Sequence, residues 1–358
     1  MFGASDRPAP RWQGEASTAD IGADRVAGIE RAIRAIPFPL DRVGAVGHRI
    51  VHGADRFDRP MVVDAGVEAT IASIAELAPL HNRVGLEGIE AARRVVGESV
   101  VHIAVFDTAF HRTIPPAAFA YGGPRGWIER GLRRYGFHGI SHQHAASAAA
   151  HLLSRRVTDL ALVTCHLGGG CSLAAVAGGC SVDTTMGFTP LDGLVMATRS
   201  GSVDPALVVH LLRHGSSIDD VEHVLEHESG LLGLSGVSGD LREVISARDA
   251  GSAAAQLAVD VFVHRLATGM GAMIAALGRL DAIVFTGGIG EHSSEVRSRV
   301  VARLKPFGAR LDEALNQRTS ADAVISTAES PVSIMVVTAR EEEAIARAVR
   351  ELGESSAA

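Results

Sequence analysis

Short continuous apolar runs alternate along this chain with longer stretches in which apolar residues recur every three or four positions. The first pattern reads as strand and the second as helix. Strands are predicted over Val43–Val51, Val100–Phe106, Leu160–Leu167, Cys171–Gly179, Ala282–Thr286 and Ser333–Val337. Val100–Phe106 and Ala282–Thr286 are continuously apolar, as parallel strands covered on both faces tend to be. Helices are predicted over Ala23–Ile36, ended by Pro37 and Pro39, over Glu68–Leu77 and Val84–Val96 on either side of a turn at Pro79–Asn82, over Ser141–Arg155 and over Arg340–Leu352. Another starts at Asp204-Pro205, with Asp as cap and Pro in the first helical position, and Ser217 caps the next. The most apolar long stretch, Ala253–Leu280, is interrupted by Asp260, His264 and Arg265, so it is predicted as a buried helix and not a membrane span. Strands alternating with helices indicate an α/β protein. Residues 1–20 are polar, carry Pro and Gly, and are expected to be poorly ordered and not a secretory leader.

Composition narrows the function. The 358 residues suffice for two domains, and 47% hydrophobic with 21% charged residues is ordinary for a globular protein. A net charge of −7 argues against nucleic acid or an anionic membrane as the main partner. A site for anionic phosphates on such a chain must gather its own Arg and His. Cys165, Cys171 and Cys180 form no CxxC and cannot all pair, which predicts reduced thiols in the cytoplasm.

Candidate chemistry concentrates between Arg133 and Gly201, with RRYGFHGISH, a β-prone pair around Gly168-Gly169-Gly170, and TRSG. The β-prone pair predicts a hairpin with an all-glycine turn. Such a turn is either an ordinary tight connection or a cradle whose N–H groups approach a phosphate. Arg49 and Arg199 offer planar, permanently charged donors. Asp107 ends an apolar strand, where α/β proteins gather catalytic groups.

The motifs GHRIVHG (47–53), LAPLHN (77–82), VFDTAFH (105–111), RRYGFHGISH (133–142), HLGGG (166–170), DTTMGFTPLDGL (183–194), TRSG (198–201) and FTGGIGE (285–291) stand in an order and spacing that resembles the acetate kinase family from about Val43 onward. The resemblance implies reversible phosphoryl transfer between ATP and acetate, giving acetyl phosphate and ADP. It also implies the two-domain α/β fold shared with sugar kinases, Hsp70-type chaperones and actin (ribonuclease H-like), with about five strands per sheet. The first domain would comprise residues 1–110 completed by helix 343–358, and the nucleotide-binding domain residues 111–342.

Residue by residue, the resemblance assigns Arg49 to the acetate carboxylate, Arg199 and His138 to the transferring phosphoryl group, and Asp107 to orienting the acetate or an arginine. His81 matches a second site histidine. Val51, Leu80, Phe137 and Pro190 match a small apolar pocket for the methyl group. His166, Leu167, Gly168, Gly169 and Gly170 match the phosphate turn, and Gly287, Gly288, Ile289, Gly290 and Glu291 the adenosine segment. Glu341 matches the glutamate that helps hold Mg²⁺ or Mn²⁺, and a homodimer is implied. The chain departs from the family at Gly169 and His292, each usually Asn, and at Ala339-Arg340 in the family's TNEE. Nothing in residues 1–40 resembles the family's opening apolar strand and Asn/Gly/Ser turn, so the chain is expected to be incomplete at its N-terminus, unstable or weakly active. A nucleotide-binding homologue without turnover and a propionate-preferring acyl kinase are the alternative readings.

Overall fold

Residues 45–50 and 101–106 pair in parallel in the computed structural model, which describes residues 12–16, 18–75, 79–319 and 322–356. The chain divides into two units, residues 1–112 with 340–358 and residues 113–339. Of the N-terminal stretch expected to be poorly ordered, residues 1–11 and 17 lie outside the described residues, and Thr18–Ile21 forms one helical turn.

The first unit has three strands, β1 (Ala45–Ile50), β2 (Met61–Val62) and β3 (Val101–Phe106), in the order β1-β3-β2. Among the described residues β1 pairs with β3 alone, in parallel, and β2 pairs antiparallel with β3. The helix Arg25–Arg34, capped by Asp24, packs on the helix Pro79–Val96, which packs in turn on β1. The helix Glu341–Ser356 packs on β1 and β3. The expected turn at Pro79–Asn82 is instead the first turn of Pro79–Val96. Proline fits there because the first helical N–H has no intrahelical partner to lose.

In the second unit six strands follow: β4 (Ala161–Leu167), β5 (Cys171–Ala177), β6 (Cys180–Thr184), β7 (Ala282–Thr286), β8 (Ala323–Val324) and β9 (Ser333–Val336). Their order is β6-β5-β4-β7-β9-β8, with β4, β7 and β9 parallel and the outer pairs antiparallel. Three and six strands thus replace the expectation of about five in each sheet. β2 and β8 are two residues long, too short to carry a periodic signal, and β6 is polar at Ser181 and Asp183. Every residue of β7 is buried, which explains its unbroken apolar run.

Helix Ala253–Leu277 is long and apolar enough to cross a membrane by length and composition. Here it packs on β4, β5 and β6 and buries Val259, Phe262, Val263, Leu266, Met270 and Ile274 at helical spacing. Ser252 caps its start by accepting from the Ala255 N–H, and Gly278 in a left-handed conformation ends it.

One glycine in β1 is dictated by space. A Cβ on Gly47 would lie 2.5 Å from Ile345 Cγ2 and 2.9 Å from Val349 Cγ2. Gly47→Val should therefore push helix 341–356 off the sheet and lower stability by about 1–3 kcal/mol. Ile345→Ala in the same chain should recover part of the loss in a urea titration; equal midpoints for the single and double variants would show that this contact does not set the packing.

Candidate active site

Strand pairing builds the first cluster. The Asp107 N–H continues the β1–β3 ladder by donating to the Ile50 carbonyl at 3.0 Å, which brings the carboxylate beside Arg49. Arg49 Nε donates to Asp107 Oδ1 and Oδ2 at 3.0 and 3.1 Å, and Nη2 donates to Oδ2 at 2.6 Å. Nη1 lies 3.2 Å from Glu341 Oε2. Asp107 is 1% exposed, whereas the Arg49 side chain is 40% exposed, so the guanidinium is anchored on one side and reachable on the other. Burial alone would lower the Arg49 pKa, but Asp107, then Glu341 and Glu342, outweigh it and hold the charge firmly. Burial pushes the Glu341 carboxyl up, Arg49 opposes this, and Glu342 adds to it. Asp107 thus holds the Arg49 guanidinium through three hydrogen bonds.

The loop after β1 carries Val51, half-buried, and is clamped by two residues that sequence reasoning left without a role. Asn82 Oδ1 accepts from the His52 N–H at 3.1 Å while Nδ2 donates to the His52 carbonyl at 2.9 Å. Thr108 Oγ1 accepts from the Gly53 N–H at 2.9 Å. Both lie inside the quoted motifs, LAPLHN and VFDTAFH, which was the available signal. Leu80 and His81 fall in the first helical turn of Pro79–Val96; their side chains are outside the described residues.

In the second unit the glycine turn joins β4 to β5 and is closed by Gly168 N–H donating to Gly170 O at 3.0 Å. None of its glycines has a left-handed φ. Their value is close approach: a Cβ on Gly170 would lie 3.2 Å from His138 Nε2 and 3.7 Å from Arg199 Nη1, while the corresponding space at Gly169 is open. Arg199 stands in a turn closed by Met196 N–H on its carbonyl, and Ala197 N–H ties that turn to Gly169 O at 3.1 Å. Arg199 Nε pairs with Glu226 at 3.0 Å, a partner the sequence did not disclose, and Nη1 donates to Pro190 O at 3.4 Å.

His138 caps the helix Gly139–Leu152 with φ 56° and ψ 25°. A left-handed histidine costs about 1 kcal/mol or more, and such strain persists where the surroundings impose it. Its ring stacks on His166 with centroids 4.2 Å apart, and Nδ1 is 2.9 Å from Ser172 Oγ. His166 Nδ1 is 2.8 Å from Ser141 Oγ. Phe137 and Leu167 are buried beside these residues in sequence.

Gly287–Glu291 open the short helix Gly287–His292 at the end of β7. Gly287 has φ 77°, and a Cβ on it would come within 2.8 Å of Leu167 O. Glu291 Oε1 accepts from the Ala339 N–H at 2.9 Å. Arg297 holds this segment from beneath. It is buried and donates to Gly290 O, Glu291 O, Asn316 O and Asn316 Oδ1 at 2.7–2.8 Å, all carbonyl or amide oxygens. Burial pulls its pKa down to about 10. Its place among Val296, Val300 and Val301 on a helical face was the only hint of burial in the sequence.

Among the described residues no group of three or more His, Cys, Asp or Glu is arranged to hold a metal. Glu341 supplies one hard oxygen donor, which fits Mg²⁺, an ion bound through one or two carboxylates with water and substrate phosphates.

Solved structures place the fold among the kinases. Acetate kinase of Porphyromonas gingivalis matches with a TM-score of 0.87 at 34% identity, over 91% of this chain and 84% of that one. A propionate kinase of Francisella tularensis matches at 0.85 and 35%, over 92% and 84%. Sequence relatives are more specific. The acetate kinase of Synechococcus sp. (strain JA-2-3B'a(2-13)) is 47% identical over 341 residues, 95% of this chain and 80% of that protein. That of Gloeobacter violaceus is 50% identical over 303 residues, 84% and 75% respectively. The pattern of the acetokinase family spans residues 17–347, and the chain belongs to that family.

The four Arg297 hydrogen bonds predict that Arg297→Lys, with a shorter reach and no planar fork, loses about 2 kcal/mol or more in urea unfolding. An unchanged midpoint would relieve Arg297 of this role.

Proposed function

We propose that the protein transfers the γ-phosphoryl group of ATP to acetate, reversibly, giving acetyl phosphate and ADP by direct in-line displacement. The observation that carries this reading is the approach of His138 and Arg199 to the same glycine, Gly170, in a turn with open space at Gly169. A carboxylate is already deprotonated at neutral pH, so the nucleophile needs no general base. One carboxylate oxygen forms the new O–P bond as the bond to the β-phosphate oxygen of ADP breaks. The enzyme's task is positioning and neutralisation of charge.

Arg49, anchored by Asp107, takes the acetate carboxylate. Val51, Leu80, Phe137 and Pro190 are the residues that the family resemblance assigns to its methyl group and His81 the lesser site histidine, and a pocket of that kind discriminates one methylene by only about 1–3 kcal/mol. Arg199 and His138 stabilise the planar phosphoryl group, where fixed donors matter most. The 166–170 turn receives the nucleotide phosphates, and Gly287–Glu291 the adenosine. Glu341 would hold Mg²⁺, which when bound neutralises phosphate charge.

With Mg²⁺ and ATP the protein should form an acyl phosphate from acetate, trapped as hydroxamate, with propionate a poorer substrate. Arg199→Ala should lower kcat about 1,000-fold with the KM for ATP changed less than about threefold. Phosphorylation of sugars but not acetate would reject the reading, and preference for propionate would replace acetate within it.

The homodimer that the family resemblance implies is proposed here, supported by exposed apolar side chains. Leu207, Val209 and Leu212 on helix Pro205–Arg213, Ile218 and Val224 on helix Ile218–His227, and Leu257 on helix 253–277 are exposed, and a second copy of the chain is the occupant proposed for them. The wild type should sediment as a dimer and Leu207→Glu with Ile218→Glu as a monomer. A wild-type monomer at micromolar concentration would exclude this assembly. The cytoplasm is the proposed compartment, in keeping with three thiols outside disulfides.

A further inference from the structure

Behind His138 a chain of hydrogen bonds runs through Ser172 and His142 to Thr164. His138 Nδ1 is 2.9 Å from Ser172 Oγ, Ser172 Oγ is 2.8 Å from His142 Nε2, and His142 Nδ1 is 2.8 Å from Thr164 Oγ1. Ser172, His142 and Thr164 are wholly buried. Each hydroxyl has one proton to donate and each neutral imidazole one N–H. With the Ser172 O–H donating to one of its two histidine partners and its oxygen accepting from the other, the donors along this line all point the same way, and the two directions leave His138 in opposite tautomers.

In one direction His138 Nδ1–H donates to Ser172, Ser172 to His142 Nε2, and His142 Nδ1–H to Thr164. Thr164 must then donate to Ala174 O, 3.4 Å away, at the weak limit of a hydrogen bond. In the other direction Thr164 O–H donates to His142 Nδ1, His142 Nε2–H to Ser172 Oγ, and Ser172 O–H to His138 Nδ1. Every bond is then 2.8–2.9 Å. A doubly protonated His142 would break this alignment, but it would place a charge in a fully buried position between two hydroxyls, which burial disfavours.

We infer that Thr164, His142 and Ser172 are positioning residues that hold His138 as the neutral Nε2–H tautomer, with its N–H directed at the glycine turn. A Cβ on Gly170 would lie 3.2 Å from this Nε2, so the N–H stands where a phosphoryl oxygen would approach. The neighbouring titratable and charged groups are His142 on the same helix, His166 stacked from β4, and Arg199 beyond Gly170. A neutral donor serves the transfer without adding a cation that would tighten the ground-state grip on the nucleotide as much as the transition state. The histidine's second nitrogen sets which proton it carries, as outer partners do for catalytic and metal-bound histidines.

The inference rests on the proposed role of His138 at the phosphoryl group, and its test separates the two. In the full-length protein labelled with ¹⁵N-histidine at pH 8, His138, assigned by its loss in His138→Ala, should show an unprotonated Nδ1 and a protonated Nε2. Ser172→Ala should shift it toward Nδ1–H and lower kcat roughly 10- to 100-fold with the KM for ATP little changed. Ser172→Thr, which keeps the hydroxyl, should restore both the spectrum and kcat. A wild-type His138 protonated at Nδ1, or at both nitrogens, would overturn the inference, as would Ser172→Ala with wild-type kcat. Full turnover in His138→Ala would instead remove the phosphoryl role and leave the tautomer to be judged by the spectrum alone.

Discussion

Arg49 can serve as a fixed cation only because Asp107, nearly without solvent contact, accepts three hydrogen bonds from it. A buried carboxylate left alone would be expensive, and so would an arginine held by desolvation alone. Together they are stable, and their geometry is set by the parallel register that puts Ile50 opposite Phe106. The helix Glu341–Ser356 adds Glu341 to the same guanidinium and presses close enough on β1 to require glycine at position 47. Strand pairing, helix docking and the charge of the first cluster are one arrangement.

The second unit combines an ion pair with neutral hydrogen-bonding groups. Arg199 again has a carboxylate partner, Glu226. His138 is backed by hydroxyls and a second imidazole, so its direction is set without a further charge. Pairing each site arginine with a carboxylate also suits a chain of net charge −7. Both guanidinium charges are held by local carboxylates, Asp107 and Glu226.

Two constraints explain glycines of the motifs: a left-handed backbone at Gly136, Gly193, Gly201 and Gly287, and close approach at Gly47 and Gly170. Gly170 makes room for His138 and Arg199, and Gly230, with φ 64°, lies against the carbonyls of Met196 and Arg199. The departure at Gly169 leaves the rim of the turn open where a side chain would stand. Its backbone carbonyl remains in use, accepting from Ala197 N–H.

Hydrophobic patterning alone was sufficient for the α/β class, the β4–β5 hairpin, the central strands β3 and β7 and the long buried helix, because each signal is local: continuous apolar runs, helical spacing, a glycine triplet. The motif residues Arg49, Asp107, His138 and Arg199 were legible for the same reason, as short strings of unusual chemistry. Tertiary structure decided everything that depends on residues distant in the chain. It paired Arg49 with Asp107 and Glu341, and Arg199 with Glu226. It buried Arg297 beneath Gly290 and Glu291, and it added the short strands β2, β6 and β8. It also aligned Thr164, His142 and Ser172 behind His138. A hydroxyl or carboxylate carries no mark in sequence of which donor it will meet, because that is settled by strand register and helix packing, and only the folded chain specifies those.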